Sequence, residues 1–239
     1  MEFRLLGPLE VAGERGPLVV PAGKPRALLV LLALHANEAV STERVVDALW
    51  GESPPASAAA VVQTYVSRFR KLLGEERIET VGHGYRLRLS TGERDVDQVE
   101  ILRARSRTES PVVAATSLRE AIALFRGQAL ADVVNLEFAH AEARRLEELH
   151  DALVIERIEA DLAAGRHRDL VAELEALAAL RPVDERLCGL LMLALYRSGR
   201  QADALAAYQD ARHALTDELG LEPSEELRAL QRRILEHDP

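Results

Sequence analysis

The sequence predicts a mainly α-helical protein in two parts: short strands framing three helices, then an all-α remainder. Three observations carry this. Runs of branched apolar residues punctuated by Gly and Pro stop before Asp95. From Val96 onward apolar residues recur at helical spacing. Gly165 and Gly199 head two similar stretches 34 residues apart, the period of a helix-pair repeat.

The elements follow in order. FRLLGPLEVAGERGPLVVP reads as short strands turned at Gly7-Pro8, Gly13 and Gly16-Pro17. Lys24 to His35 is apolar nearly all round, which indicates a buried helix ended at Ala36-Asn37. Ser41 or Thr42 can cap a second helix running to Leu49-Trp50, and Gly51 to Pro55 forms a stiff loop. The segment from Ala58 to Leu73 is amphipathic. Val62, Tyr65, Val66, Phe69, Leu72 and Leu73 form an apolar stripe, while Gln63, Thr64, Ser67, Arg68, Arg70 and Lys71 face elsewhere. A hairpin with a Gly82-His83-Gly84 bend closes the first part. Strands, three helices and a hairpin in that order make a winged helix with an extra N-terminal sheet.

Beyond it, Val96–Arg107, Ala114–Phe125 and Phe138–Ala164 read as helices, with less regular connections at Gly127 and at Val133 to Asn135. The two repeat-like stretches follow. In the second, Ala204, Tyr208 and Ala211 fit the small–aromatic–small positions of a tetratricopeptide unit. In the first, those positions hold Leu170, Leu174 and Leu177, which is off pattern, although Pro182 ends the copy as expected. The last helix runs from Glu225 to Glu236. The domains are expected at 1–92 and 93–239, in contact with each other, because no Gly/Ser/Pro-rich linker separates them.

Composition narrows the function. The net charge is −9, yet residues 1–95 are neutral, with twelve basic and twelve acidic side chains, and the whole excess lies beyond them. Between Gln63 and Arg94 the local balance is +3. An acidic body with a cationic element is compatible with DNA, since phosphates respond to the local field. The single cysteine, Cys188, sits in an apolar helical run, so it is expected to be a buried thiol in a reducing cytoplasm. No secretory leader and no membrane-length apolar run is visible. The seven histidines are scattered without metal-ligand spacing, no phosphate loop is present, and the helical carboxylates read as partners of nearby arginines. No enzyme, cofactor or metal is expected.

The candidate site is a reader of duplex DNA. A helix fits the major groove, and Arg, Lys and Gln are the side chains that pair with base edges and phosphates there. Gln63, Thr64, Ser67, Arg68, Arg70 and Lys71 are the candidates on the third helix, with Arg86 on the hairpin. Lys24 and Arg26, at the start of the first helix, are candidates for phosphate. The bland alternative makes several of these solvated surface charges. Tyr65, Phe69 and Tyr85 are assigned to packing.

A family resemblance sharpens this. Lys24-Pro25-Arg26, Ala48-Leu49-Trp50-Gly51, Pro54-Pro55, Val66 to Gly74 and Gly82 to Leu87 resemble the DNA-binding domain of the Streptomyces antibiotic regulatory proteins, itself similar to the winged helix of OmpR- and PhoB-type regulators. The stretch from Leu190 to Leu235 resembles the bacterial transcriptional activation domain of that family. The resemblance implies a pathway-specific activator of secondary-metabolite genes in an actinobacterium, cytoplasmic and nucleoid-associated. It implies double-stranded promoter DNA with direct repeats, RNA polymerase holoenzyme and a second copy on DNA as partners, and no membrane. It places the third helix in the major groove and Arg86 at the minor groove. No receiver, ATPase or sensor domain is visible in the sequence. Two other readings stay open: a tetratricopeptide scaffold that binds protein, and a helical domain that senses a small molecule.

Overall fold

A computed structural model describes residues 1–237. The chain forms two compact units. One comprises residues 1–105 and 119–153, the other residues 106–118 and those from Val154 on.

The first unit opens with an antiparallel meander of β1 (Glu2–Arg4), β2 (Glu10–Gly13) and β3 (Gly16–Leu18). Phe3 pairs with Val11, and Val11 in turn with Leu18, so one face of a very short sheet carries the apolar residues. Helix α1 (Lys24–Leu34) follows. Every residue from Ala27 to Ala33 is buried, which accounts for its unbroken apolar run. Strand β4 (Val40–Ser41) leads into α2 (Thr42–Trp50), whose Ser41 hydroxyl accepts the N–H of Arg44 at 3.1 Å. Helix α3 (Ala58–Leu73) buries Ala58, Val62, Val66, Phe69 and Leu73, the 3.6-residue stripe seen in the sequence. A 3₁₀ turn (Glu75–Arg77) then leads to the hairpin of β5 (Ile78–Val81) and β6 (Gly84–Leu87), and β4 joins that hairpin in the order β4-β6-β5. The two-residue β4 escaped the sequence reading, because two residues carry no periodicity.

The same unit also contains α4 (Asp95–Ser106) and the first half of α6 (Glu137–Ala163). Packing in this unit therefore runs on past residue 92. The reason is a set of polar latches between distant parts of the chain. Asp95, 1% exposed, accepts the backbone N–H groups of Leu5 (2.8 and 2.9 Å) and Leu6 (2.9 Å). Asp132 accepts the N–H of Leu9 at 2.5 Å and the guanidinium of Arg26 at 2.8 Å. The N–H of Arg126 is bonded to the carbonyl of Leu6, and its side chain reaches Glu10 at 2.8 Å. Together these satisfy the backbone of the irregular segment after β1, whose donors would otherwise be buried and unpaired.

The second unit is helical. It holds most of α5 (Pro111–Ala123), the end of α6, then α7 (His167–Leu180), α8 (Glu185–Arg197), α9 (Gln201–Ala214), a π turn (Leu215–Leu219) and α10 (Glu225–Leu235). Ile158, Leu174, Leu187, Met192, Leu195, Ala204 and Ile234 are at its core. The two expected repeats share one backbone device. Gly165 and Gly199 both take positive φ, 84° and 82°. After each, an N–H reaches back five residues, from Arg166 to the carbonyl of Asp161 and from Arg200 to that of Leu195. Ala204, Tyr208 and Ala211 are buried, as their small–aromatic–small pattern requires. Leu170 and Leu174 are buried at the equivalent places of the first copy, so that repeat keeps its packing with larger side chains. No described helix is long and apolar enough to cross a membrane.

Candidate nucleic-acid interface

Helix α3 presents its polar side to solvent. Gln63, Thr64, Ser67 and Lys71 are all exposed, and their three- and four-residue spacing puts them on one face. The Thr64 hydroxyl is bonded to the carbonyl of Ala60 at 3.0 Å. Arg68 is exposed as well, but farther round the helix, beside a shallow apolar cleft of about 190 Å³ lined by Val19, Pro21, Pro25, Tyr65 and Leu72.

Arg70 does not face outward as the sequence led us to expect. It is half-buried: its Nε donates to the carbonyl of Ile78 at 2.8 Å and an Nη to the Thr80 hydroxyl at 2.8 Å. The chain turns at Gly74 and through the short 3₁₀ turn into β5, so that strand lies within reach of the last turns of α3 and its acceptors capture the guanidinium.

The hairpin is tied down at its tip too. Val81 pairs with Gly84 across a two-residue turn in which Gly82 takes φ 56°. A positive φ at the first central position favours glycine. The carbonyl of His83 accepts both the N–H (2.9 Å) and the hydroxyl (2.8 Å) of Thr42, at the start of α2. Gly84 must be glycine for another reason: a Cβ there would stand 2.2 Å from the Val40 carbonyl oxygen of the neighbouring strand.

The remaining candidate cations carry intramolecular contacts. Arg86 lies opposite Glu79 in the strand register, 3.7 Å from its carboxylate, and its Nε is buried without a hydrogen-bond partner among the described residues. Glu79 also holds Arg88 at 2.7 Å. The ammonium of Lys24 donates to the Leu49 carbonyl at 2.5 Å and stands 4.9 Å from the centre of the Trp50 ring. Arg26 is bonded to Asp132 and to the Val20 carbonyl, each at 2.8 Å. At the foot of the hairpin, Glu93 receives Arg77 at 2.7 Å. Burial pushes its carboxyl up, but Arg77 and the N–H of Ser90 outweigh this and hold it at about 2.

The structure thus brings Gln63, Thr64, Ser67 and Lys71 together on one open face, with Arg68 at its flank. Arg70, Arg86, Lys24 and Arg26 lie in contacts that shape the unit. Sequence reading gave Thr42 only a capping role and missed Thr80 and Asp132. Thr42 and Asp132 meet partners 41 and more than 100 residues away, Thr80 one on the neighbouring element ten residues back, and no local pattern marks such a residue. Among the described residues no cluster of three or more metal-ligating side chains occurs.

Residues 19–87 match the family described as "Transcriptional regulatory protein, C terminal", and residues 94–235 match "Bacterial transcriptional activator domain". The chain is 40% identical over 244 residues to the regulatory protein AfsR of Streptomyces griseus, with all of this chain and 25% of that protein aligned. It is 40% identical over 256 residues to the regulatory protein DnrI of Streptomyces peucetius, covering all of this chain and 93% of that one. It spans about a quarter of the length of the AfsR proteins and nearly the whole of DnrI. Among solved structures, Mycobacterium tuberculosis EmbR in complex with a low-affinity phosphopeptide superposes with a TM-score of 0.92 at 34% identity, over all of this chain and 65% of that one.

Proposed function

The chain belongs to the Streptomyces antibiotic regulatory protein family, joining an OmpR/PhoB-type winged helix to a bacterial transcriptional activator domain, and we propose that it is a sequence-specific, DNA-binding activator of a secondary-metabolite gene cluster. The observation that carries the proposal is the open polar face of α3, Gln63-Thr64-Ser67-Lys71, beside a braced hairpin. Helix α3 enters the major groove. There Gln63 offers the paired donor and acceptor that suit adenine, Thr64 and Ser67 offer hydroxyls to base edges, and Lys71 neutralises phosphate. Arg68 reaches bases or backbone from the flank. The hairpin lies over the adjacent minor groove. Lys24 and Arg26, at the start of α1, contribute to phosphate only if DNA displaces Leu49, Trp50 and Asp132 from them.

Promoter sites are direct repeats, bound by two copies head to tail, and the helical domain engages RNA polymerase from the side away from DNA. Its excess of acidic residues supports that placement, since like charge repels phosphate. The protein works in the cytoplasm, on the nucleoid.

The test is a mobility-shift titration with promoter DNA from neighbouring biosynthetic genes, repeated over a salt series. Affinity that falls steeply and linearly on logarithmic axes supports the reading, because counterions are released as phosphates are neutralised. Equal affinity for unrelated DNA, or binding insensitive to salt, contradicts it.

A further inference from the structure

We propose that Arg70 is a positioning residue that fixes the hairpin against α3 before DNA arrives, rather than a reader of bases. The inference rests on the DNA-binding function proposed above and assigns how its two reading elements are held.

The brace has two ends. At the root of the hairpin, the guanidinium of Arg70 spans β5, with Nε on the Ile78 carbonyl and an Nη on the Thr80 hydroxyl, both at 2.8 Å. The fork is planar, so two bonds fix both the distance and the angle between helix and strand. At the tip, Thr42 holds the His83 carbonyl with its N–H and its hydroxyl. Arg70 is half-buried, whereas Gln63, Ser67 and Lys71 on the same helix are exposed. A base contact by Arg70 would have to break both bonds and leave the Ile78 carbonyl without its charged donor. A hairpin held at root and tip loses little freedom on binding, so minor-groove contact comes with little ordering cost. The separation between major-groove and minor-groove contacts is then set by the protein fold.

The experiment uses the full chain with Arg70→Ala, Arg70→Lys and Thr80→Val. Thr80 is exposed, so its variant removes one bond of the brace without disturbing the core. Groove-resolved footprinting on promoter DNA is the readout: guanine N7 protection for the major groove, hydroxyl-radical protection for the minor groove. Arg70→Ala should lose the minor-groove footprint, keep the guanine pattern, and bind roughly tenfold more weakly. Arg70→Lys should recover part of that footprint, since an ammonium reaches one of the two acceptors. Thr80→Val should show the same loss in smaller degree. In free wild-type protein, the amides from Ile78 to Leu87 should exchange slowly, and faster in Arg70→Ala.

Loss of guanine protection with the minor-groove footprint intact would overturn the proposal and make Arg70 a base reader. Unchanged amide exchange in Arg70→Ala would overturn it as well. That measurement needs no DNA, so it separates failure of the brace from failure of the DNA-binding function.

Discussion

The carboxylate of Asp95 caps the backbone N–H of Leu5 with both oxygens, at 2.8 and 2.9 Å, across ninety residues of chain. It also takes the N–H of Leu6 and of its own neighbour Val96, each at 2.9 Å. One side chain therefore satisfies three backbone donors where the chain after β1 meets the start of α4. Burial pushes the Asp95 carboxyl above its ordinary range, and the N–H donors oppose that shift.

Asp95→Ala should destabilise the protein by about 3 kcal/mol, because the N–H groups of Leu5 and Leu6 are left buried and unpaired. Asp95→Asn should cost less, since its amide oxygen still accepts. Urea unfolding of the three proteins measures the order. Equal midpoints for wild type and Asp95→Ala would show that the latch contributes nothing.

Two glycines of one hairpin should respond differently. At Gly84 an added Cβ meets the Val40 backbone at 2.2 Å, so Gly84→Ala should separate β4 from β6 and cost about 3 kcal/mol. At Gly82 nothing lies within 4 Å, and only the positive φ of 56° opposes a side chain. Gly82→Ala should cost about 1 kcal/mol. Thermal melts of both variants, with DNA affinity measured alongside, check the contrast.

Glu93 makes stability depend on acidity. Its carboxyl is held at about 2, below its ordinary 4.5, so its contribution is full above 4.5 and fades as the pH falls toward 2. The contribution is at most about 3 kcal/mol. Wild type should exceed Glu93→Gln in unfolding free energy at about pH 6, and the gap should shrink at about pH 2.5. A gap that grows on acidification would contradict the assignment.

Cys188 should be inert in the folded protein. Burial pushes its thiol up to about 12, with Glu185 and Asp210 adding to the effect, and its Sγ lies 3.6 Å from the Ala207 carbonyl. Maleimide labelling at neutral pH should track unfolding rather than reagent concentration. Rapid stoichiometric labelling under native conditions would place the thiol at the surface.

The candidate cations should separate by mutation. Lys71→Ala should weaken DNA binding evenly across sequences and lower the salt slope by about one. Arg68→Ala should cost roughly 1–3 kcal/mol where it contacts a base. Arg26→Ala should act first on stability, because it empties the pair with Asp132. Inserting about 5 bp between two direct repeats puts the copies on opposite faces of the duplex and should abolish activation while each site still binds. Full activation at that spacing would favour a symmetric dimer.

The sequence by itself determined the elements whose signal is periodic. The stripe from Val62 to Leu73 fixed α3 and its buried side, the unbroken apolar run marked α1 as internal, and glycines 34 residues apart announced the repeat. It also exposed the polar face of α3, because helical spacing alone puts Gln63, Ser67 and Lys71 together. Tertiary structure decided which charges are free. Arg70 lies on the polar side of its helix by periodicity, yet β5 runs close enough to take its guanidinium. Arg26 and Lys24 look like phosphate contacts until Asp132 and the Leu49 carbonyl are seen beside them. The first compact unit likewise draws on Asp95 and Asp132, which find donors about ninety and more than a hundred residues away. A hydrophobic stripe repeats locally and is legible in the chain. A hydrogen bond between distant segments is specified by one donor and one acceptor, and only the folded backbone shows which two have met.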